Sequence, residues 1–319
     1  MRFLALLTTL STVIMLGQCQ QTYAGSQYRG GFISQNQGSA PITHTQAPAP
    51  RVGGGSFGPL NNELVPCRPL AQPRTPAPKP GCAAVCVIDP RTGRVLYGHN
   101  ANERRQVAST QKIITALCVC DAGNLNKIVT IQQEDKTRVT PIKLQQVKPG
   151  EQYTRGALLQ AMLTGSYNDI AHALARDTAG TMEAFVQRMN ARARRMKMYD
   201  THFVNPHGLP GPQYSTAHDM AIAACHAYVN PTIRRIVDIP SFDFTLANGT
   251  PRTMNNTNKL LTKYSWVNGM KTGYTDAAGR CLISSGSYNG QAVIVVVLGC
   301  PKPKIWDESE KYLRWALGV

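Results

Sequence analysis

Two strand-rich hairpins at opposite ends of the folded chain do most to limit its architecture. Ala83–Ile88 is a continuous apolar run, Asp89-Pro90-Arg91-Thr92-Gly93 carries turn chemistry, and Arg94–Tyr97 follows as a second strand. Far along the chain, Gly279–Ser285 and the β-branched run Ala292–Leu298 are joined through Asn289-Gly290, a dipeptide suited to a tight hairpin turn. Between these ends, Gly156–Leu163, Asn168–Asp177, Met182–Met196 and Ala217–Tyr228 repeat apolar residues at the three- and four-residue spacing of helices. A last amphipathic helix spans roughly Pro303–Leu317. The pattern predicts a mostly antiparallel sheet built from both ends of the domain and flanked by helices. A helical subdomain inserted between them leaves a cleft at the junction, so the class is α/β (α+β).

The first residues belong to a different regime. Met1-Arg2 precedes an uncharged apolar run, Phe3–Gly17, shorter than the roughly 20 residues a membrane span needs. It reads as an export signal over 1–24, cleaved after Ala24 or kept as an N-terminal anchor. Leu16-Gly17-Gln18-Cys19 resembles a lipidation box, although Gln18 is not the small residue such a box carries. Residues 25–81 are rich in Gly, Pro, Gln, Ser and Ala and hold ten of the chain's 21 prolines. Such a stretch cannot bury enough apolar surface to offset its ordering entropy. We read it as a disordered tether, with the folded domain over 82–319.

Nine cysteines are many for such a chain. Outside the signal they are Cys67, Cys82, Cys86, Cys118, Cys120, Cys225, Cys281 and Cys300, an even set that permits disulfides without saying which. Cys86, Cys118 and Cys281 lie in apolar runs and read as small buried hydrophobes. No Cys-x-x-Cys or suitably spaced histidine set suggests a metal, and no cofactor is expected. The net charge of +16 fits attraction to anionic envelope polymers or plain solubility. No nucleic-acid motif accompanies it, so no nucleic-acid partner is expected.

Three short motifs carry the chemistry: Ser109-Thr110-Gln111-Lys112, Ser166-Tyr167-Asn168 and Lys271-Thr272-Gly273. Ser109 opens the buried helix through Ile113, Ile114, Ala116, Leu117 and Val119, which places Lys112 on the serine's own face. A serine hydroxyl is a weak nucleophile until a base takes its proton, and a lysine whose pKa is lowered by burial and nearby positive charge can do so. Ser166 and Asn168 sit between two helices, the serine expected to hydrogen-bond Lys112 and relay a proton, the asparagine to bind a substrate amide. Lys271 and Thr272, on an edge strand, would hold a substrate carboxylate. Gly273 leaves room for the peptide, and the Tyr274 N–H would join the Ser109 N–H as an oxyanion hole. Ser34-Gln35-Asn36 and Ser287-Tyr288-Asn289 repeat the middle motif, but only Ser166 falls between the other two. His207, in a Pro-His-Gly turn, reads as a structural histidine.

The ordered set resembles the serine-type D-Ala-D-Ala carboxypeptidases, the low-molecular-mass penicillin-binding proteins. The likeness extends to Val87-Ile88-Asp89, to Ala108–Ala116 with Gln111 in place of the usual threonine, and to Met189-Asn190. It continues through Asn205-Pro206-His207-Gly208-Leu209, Ser215–Met220 and Gly273–Gly279. The resemblance implies a β-lactamase/transpeptidase-like fold and catalytic roles for Ser109, Lys112 and Ser166. Asn168, Lys271, Thr272, Gly273 and Tyr274 would then bind the substrate. It further implies peptidoglycan stem peptides as substrates, acylation by β-lactams, and an exported enzyme of the periplasm or cell envelope; unlike in relatives with a C-terminal membrane helix, any anchor here is expected at the N-terminus. Two other readings stay open: a DD-endopeptidase cutting cross-links, and a catalytically silent peptidoglycan-binding protein.

Overall fold

The run Ala292–Leu298 becomes the middle of a sheet covered on both faces. The computed structural model describes residues 52–53, 68–136 and 147–319. Its first elements are β1 (Val52–Gly53), β2 (Ala84–Ile88), β3 (Val95–His99), α1 (Lys112–Asp121), β4 (Ile128–Thr130) and β5 (Gln152–Thr154). The helical middle is α2 (Arg155–Gly165), α3 (Asn168–Ala179), α4 (Met182–Arg195), α5 (Ala217–Val229) and α6 (Pro231–Val237). Then come β6 (Ser241–Thr245), β7 (Pro251–Asn255), α7 (Leu260–Lys263), β8 (Val267–Thr275), β9 (Gly279–Tyr288), β10 (Gln291–Cys300) and α8 (Ile305–Leu317).

The main sheet has the order β3-β2-β10-β9-β8, with every neighbour antiparallel. Val293, Val295 and Val297 pack with Val85, Val87 and Leu313 of α8. Ile294, Val296 and Leu298 turn the other way, into the cluster of Cys86, Ile88, Ile113 and Ile114. Burial on both faces explains why β2 and β10 read as unbroken apolar runs. Each such side chain contributes about 1.5–3 kcal/mol over leaving it exposed. Asn289 and Gly290 have φ of +48° and +72°, the two positive values that an Asn-Gly hairpin turn requires.

All six expected helices form, three of them with threonine caps at their N-terminal ends. Thr154, Thr181 and Thr216 accept hydrogen bonds from the backbone N–H groups of Ala157, Ala184 and Asp219, caps worth about 1 kcal/mol each. The small sheet β1-β5-β4 and the hairpin β6–β7 were not anticipated, because strands this short or this exposed show little period.

The Pro-rich end of the expected tether is laid onto the domain. Leu70 is buried and its N–H donates to Asp89 Oδ2 at 3.0 Å. Trp315 Nε1 donates to Thr75 O at 2.8 Å, Tyr312 OH to Pro78 O at 3.0 Å, and Lys311 Nζ to Lys79 O at 2.7 Å. Proline cannot feed a strand ladder, so α8 satisfies this strap through side-chain donors to its carbonyls. These contacts lie on the tether side of the boundary expected at 82, within the described residues. Residues 1–24, and the tether up to 67 apart from β1, lie outside them.

Among the described residues one disulfide joins Cys82 to Cys300, while Cys86, Cys118, Cys120, Cys225 and Cys281 are free thiols; Cys19 and Cys67 lie outside those residues. Burial pushes Cys86, Cys118, Cys120 and Cys225 up to about 12 and Cys281 to about 11. They are protonated at neutral pH and serve as packing rather than as nucleophiles. Among the described residues, no helix is long and apolar enough to cross a membrane.

Candidate active site

Ser109 sits in a tight 3₁₀ turn, Ala108–Gln111, that leads directly into α1. The turn is held from within, since Thr110 Oγ1 donates to Val107 O at 2.6 Å. It is also strained: Ala108 has a φ of +50°, a conformation that costs a non-glycine residue of order 1 kcal/mol or more unless its surroundings enforce it.

Two glycines do the enforcing. A Cβ built on Gly208 (φ +86°) would lie 2.1 Å from Ala108 O, and one on Gly273 would lie 2.9 Å from the Ser109 backbone N. The Ala108–Ser109 peptide is thus approached closely by the loop after α4 and by strand β8. Gly208→Ala is expected to destabilise the fold by about 1–3 kcal/mol through overpacking. It should also slow chemistry at Ser109 by about 10²-fold through misplacement. Denaturant melts and the rate of acylation by a penicillin measure the two effects.

Lys112 opens α1 and is fully buried. Its Nζ donates to Ser109 Oγ at 2.8 Å, to Asn168 Oδ1 at 2.8 Å and to His207 O at 2.7 Å. Burial first, and the Lys271 charge second, hold its pKa well below the ordinary lysine range, while Asp169 pulls in the opposite direction. The 2.8 Å Nζ–Oγ separation serves the neutral amine equally, which would accept the serine proton across it.

The expected bond from Ser166 to Lys112 is replaced. An ammonium has three N–H donors, and Ser109, Asn168 and the His207 carbonyl take all three. Ser166 instead caps α2 in the left-handed conformation (φ +65°), its N–H donating to Met162 O. Asn168, two residues on, starts α3 and gives its carbonyl oxygen to Lys112. That leaves the Asn168 NH₂ as the group free to meet a substrate carbonyl.

Lys271 lies on β8, the edge strand expected for it. It is buried, its Nζ donates to Thr272 O at 3.1 Å, and burial lowers its pKa to about 7. Among the described residues no carboxylate pairs with it. Thr272 Oγ1 donates to Thr257 Oγ1 at 2.7 Å. Tyr274 is exposed at the rim, its OH donating to Asp276 Oδ1 at 2.7 Å and its ring covered by Arg280.

Two contributors escaped the motif reading. His207 acts through its carbonyl, which also accepts from Ser109 Oγ at 3.3 Å. Its ring is neutral, with burial, the Lys112 charge and His172 lowering its pKa to about 3, and Nδ1 accepts from Leu209 N at 3.3 Å. It is the structural histidine that the turn suggests. Asp169, next to Asn168, is a buried carboxylate 3.7 Å from Lys136 Nζ; its neighbour's motif gave no sign of it.

Comparison with known proteins agrees with this geometry. Residues 72–302 match the Peptidase_S11 family model, described as D-alanyl-D-alanine carboxypeptidase. A D-alanyl-D-alanine carboxypeptidase of Bacillus subtilis is 34% identical over 227 residues, covering 68% of this chain and 57% of that protein's length. A D-alanyl-D-alanine endopeptidase of Pseudomonas aeruginosa is 31% identical over 259 residues, covering 76% of this chain and 81% of the relative. The crystal structure of a D-alanyl-D-alanine carboxypeptidase from Mycobacterium tuberculosis superposes with a TM-score of 0.72 at 32% identity, over 78% of this chain and 96% of that one. Matched by the family model over most of its length, the chain belongs to the D-alanyl-D-alanine carboxypeptidase family of serine peptidases.

Proposed function

We propose that this chain removes the terminal D-alanine from peptidoglycan stem peptides through an acyl-enzyme on Ser109. The observation that carries the reading is the buried Lys271, unpaired with any carboxylate among the described residues, on the strand that touches the Ser109 turn. A substrate ending in a carboxylate supplies the missing partner and restores the lysine's charge. Thr272 adds a hydroxyl to the same carboxylate.

Ser109 Oγ attacks the penultimate D-alanine carbonyl as its proton passes to Lys112 Nζ. The negative oxygen is received by the Ser109 and Tyr274 N–H groups. The C–N bond breaks and D-alanine leaves with the proton, carried from Lys112. Ser166 joins that relay once substrate draws Lys112 away from one of its three partners, since catalytic hydrogen bonds often tighten only in the substrate complex. Water then repeats the sequence on the ester. A β-lactam enters by the same attack, but its leaving nitrogen stays tethered to the acyl group.

The Cys82–Cys300 disulfide supports export to an oxidising compartment. We assign the N-terminal residues to carrying the domain there and holding it at the envelope.

The endopeptidase reading draws on the Pseudomonas aeruginosa relative. Product analysis on a defined pentapeptide and a cross-linked dimer separates the two. We expect free D-alanine from the pentapeptide and little cleavage of the dimer; preferential dimer cleavage would reverse the assignment.

A further inference from the structure

Gln111 departs from the threonine of the family's pattern, and its surroundings show what the longer side chain reaches. It is buried, and its Nε2 donates to Asn205 O at 2.6 Å and to Asn205 Oδ1 at 3.2 Å. A backbone carbonyl can only accept, so the amide orientation is fixed chemically. The other end, Oε1, is buried without a partner. The side chain is therefore kept for its donors, at the cost of an unsatisfied acceptor.

Asn205 organises the loop that follows. Its Oδ1 also accepts from His207 N at 3.2 Å and Gly208 N at 2.7 Å, and its Nδ2 donates to Leu209 O at 3.1 Å. A second tie comes from Thr115, whose hydroxyl donates to Pro206 O at 2.6 Å. The loop's product is one atom, the His207 carbonyl oxygen, which holds Lys112 Nζ at 2.7 Å. Gln111 and Lys112 are adjacent in sequence, yet they meet again through five residues of a distant loop.

We propose that Gln111 is a positioning residue, which fixes the His207 carbonyl through Asn205 and so sets where Lys112 Nζ stands against Ser109. This inference rests on the reading of Ser109 as nucleophile and Lys112 as base. A carbonyl on an untied loop would wander by a fraction of an ångström or more, and such displacement at a reacting centre costs up to about 10²-fold.

Gln111→Met keeps the length and volume but removes both donors. With a fluorescent penicillin, stopped-flow measurement should give an acylation rate constant lower by about 10–100-fold, with unchanged dissociation constant of the non-covalent complex and a retained thermal midpoint. In a Lys112→Met background, the same substitution should add nothing, because the carbonyl then has no ammonium to hold. Gln111→Asn, whose carboxamide is one methylene shorter, should fall between, and it decides the question by the same criteria if the methionine variant does not fold. An unchanged acylation rate, or an equal further loss in the Lys112→Met background, overturns the proposal. A wild-type chain that takes no label sinks the underlying reading of Ser109 instead.

Discussion

A Ser109→Ala chain is expected to take up no covalent label from a fluorescent penicillin and to release no D-alanine from a pentapeptide. Nothing else in the site can replace the hydroxyl. Of the described free thiols, Cys86, Cys118 and Cys281 are buried and Cys120 and Cys225 half-buried, burial raises the pKa of all five, and the Ser166 hydroxyl is not bonded to the base. The lost methylene-bound oxygen leaves Lys112 with two acceptors rather than three, so the fold should hold, and retained near-ultraviolet dichroism checks this. Mass spectrometry of the intact chain reads the result directly. Persistent labelling would move the nucleophile elsewhere, while a wild type that also stays unlabelled would favour the catalytically silent reading.

Lys112→Met should slow acylation by about 10²–10⁴-fold, the usual value of a positioned general base, without unfolding the protein. Methionine fits a fully buried site better than a lysine whose burial already opposes its charge. The pH dependence gives a sharper test. Lys112 can accept the serine proton only as the neutral amine, so wild-type acylation should fall as pH drops through its lowered pKa. With that pKa well below the ordinary lysine value, the acidic limb lies far to the acid side of pH 10.5. Rates measured across pH should show the limb in the wild type and a flat residual rate in Lys112→Met. An unchanged limb in the variant would assign the base to another group.

Much of this site could be read before any coordinates, for a physical reason. In the proposed reaction Ser109, Lys112, Asn168 and Lys271 would act through side-chain chemistry that is visible in their residue types, and Gly273 would act through the lack of a side chain. The His207 carbonyl was invisible because every residue has one, and only its position makes it a ligand. Ser166 was given a bond to Lys112 because the motif supplies a hydroxyl, but a motif does not count how many donors the lysine has left. The sheet followed from the two hairpins, since their apolar runs are too continuous for anything but a doubly covered strand.

The disulfide shows the opposite case. β2 and β10 are antiparallel neighbours, with Ala84 opposite Leu298. Continuing that register brings Cys82 level with Cys300, yet no spacing in the sequence says these strands are adjacent. Leu70 likewise looks like one apolar residue in a spacer until Asp89 and α8 give it a place to bury.

The strap and the Cys82–Cys300 bond together define how the molecule carries mechanical load. A pull on the chain from its N-terminal side meets the Arg68 and Leu70 ties to the hairpin turns first, then the carbonyl ties to α8, and then the covalent link at Cys82. From there the force passes into β2 and β10, the inner strands of the sheet. Strand β8, with Lys271 and Gly273, lies at the far edge beyond β9 and is outside that path. A load applied from that side would therefore enter the sheet two strands away from the edge that touches the Ser109 turn.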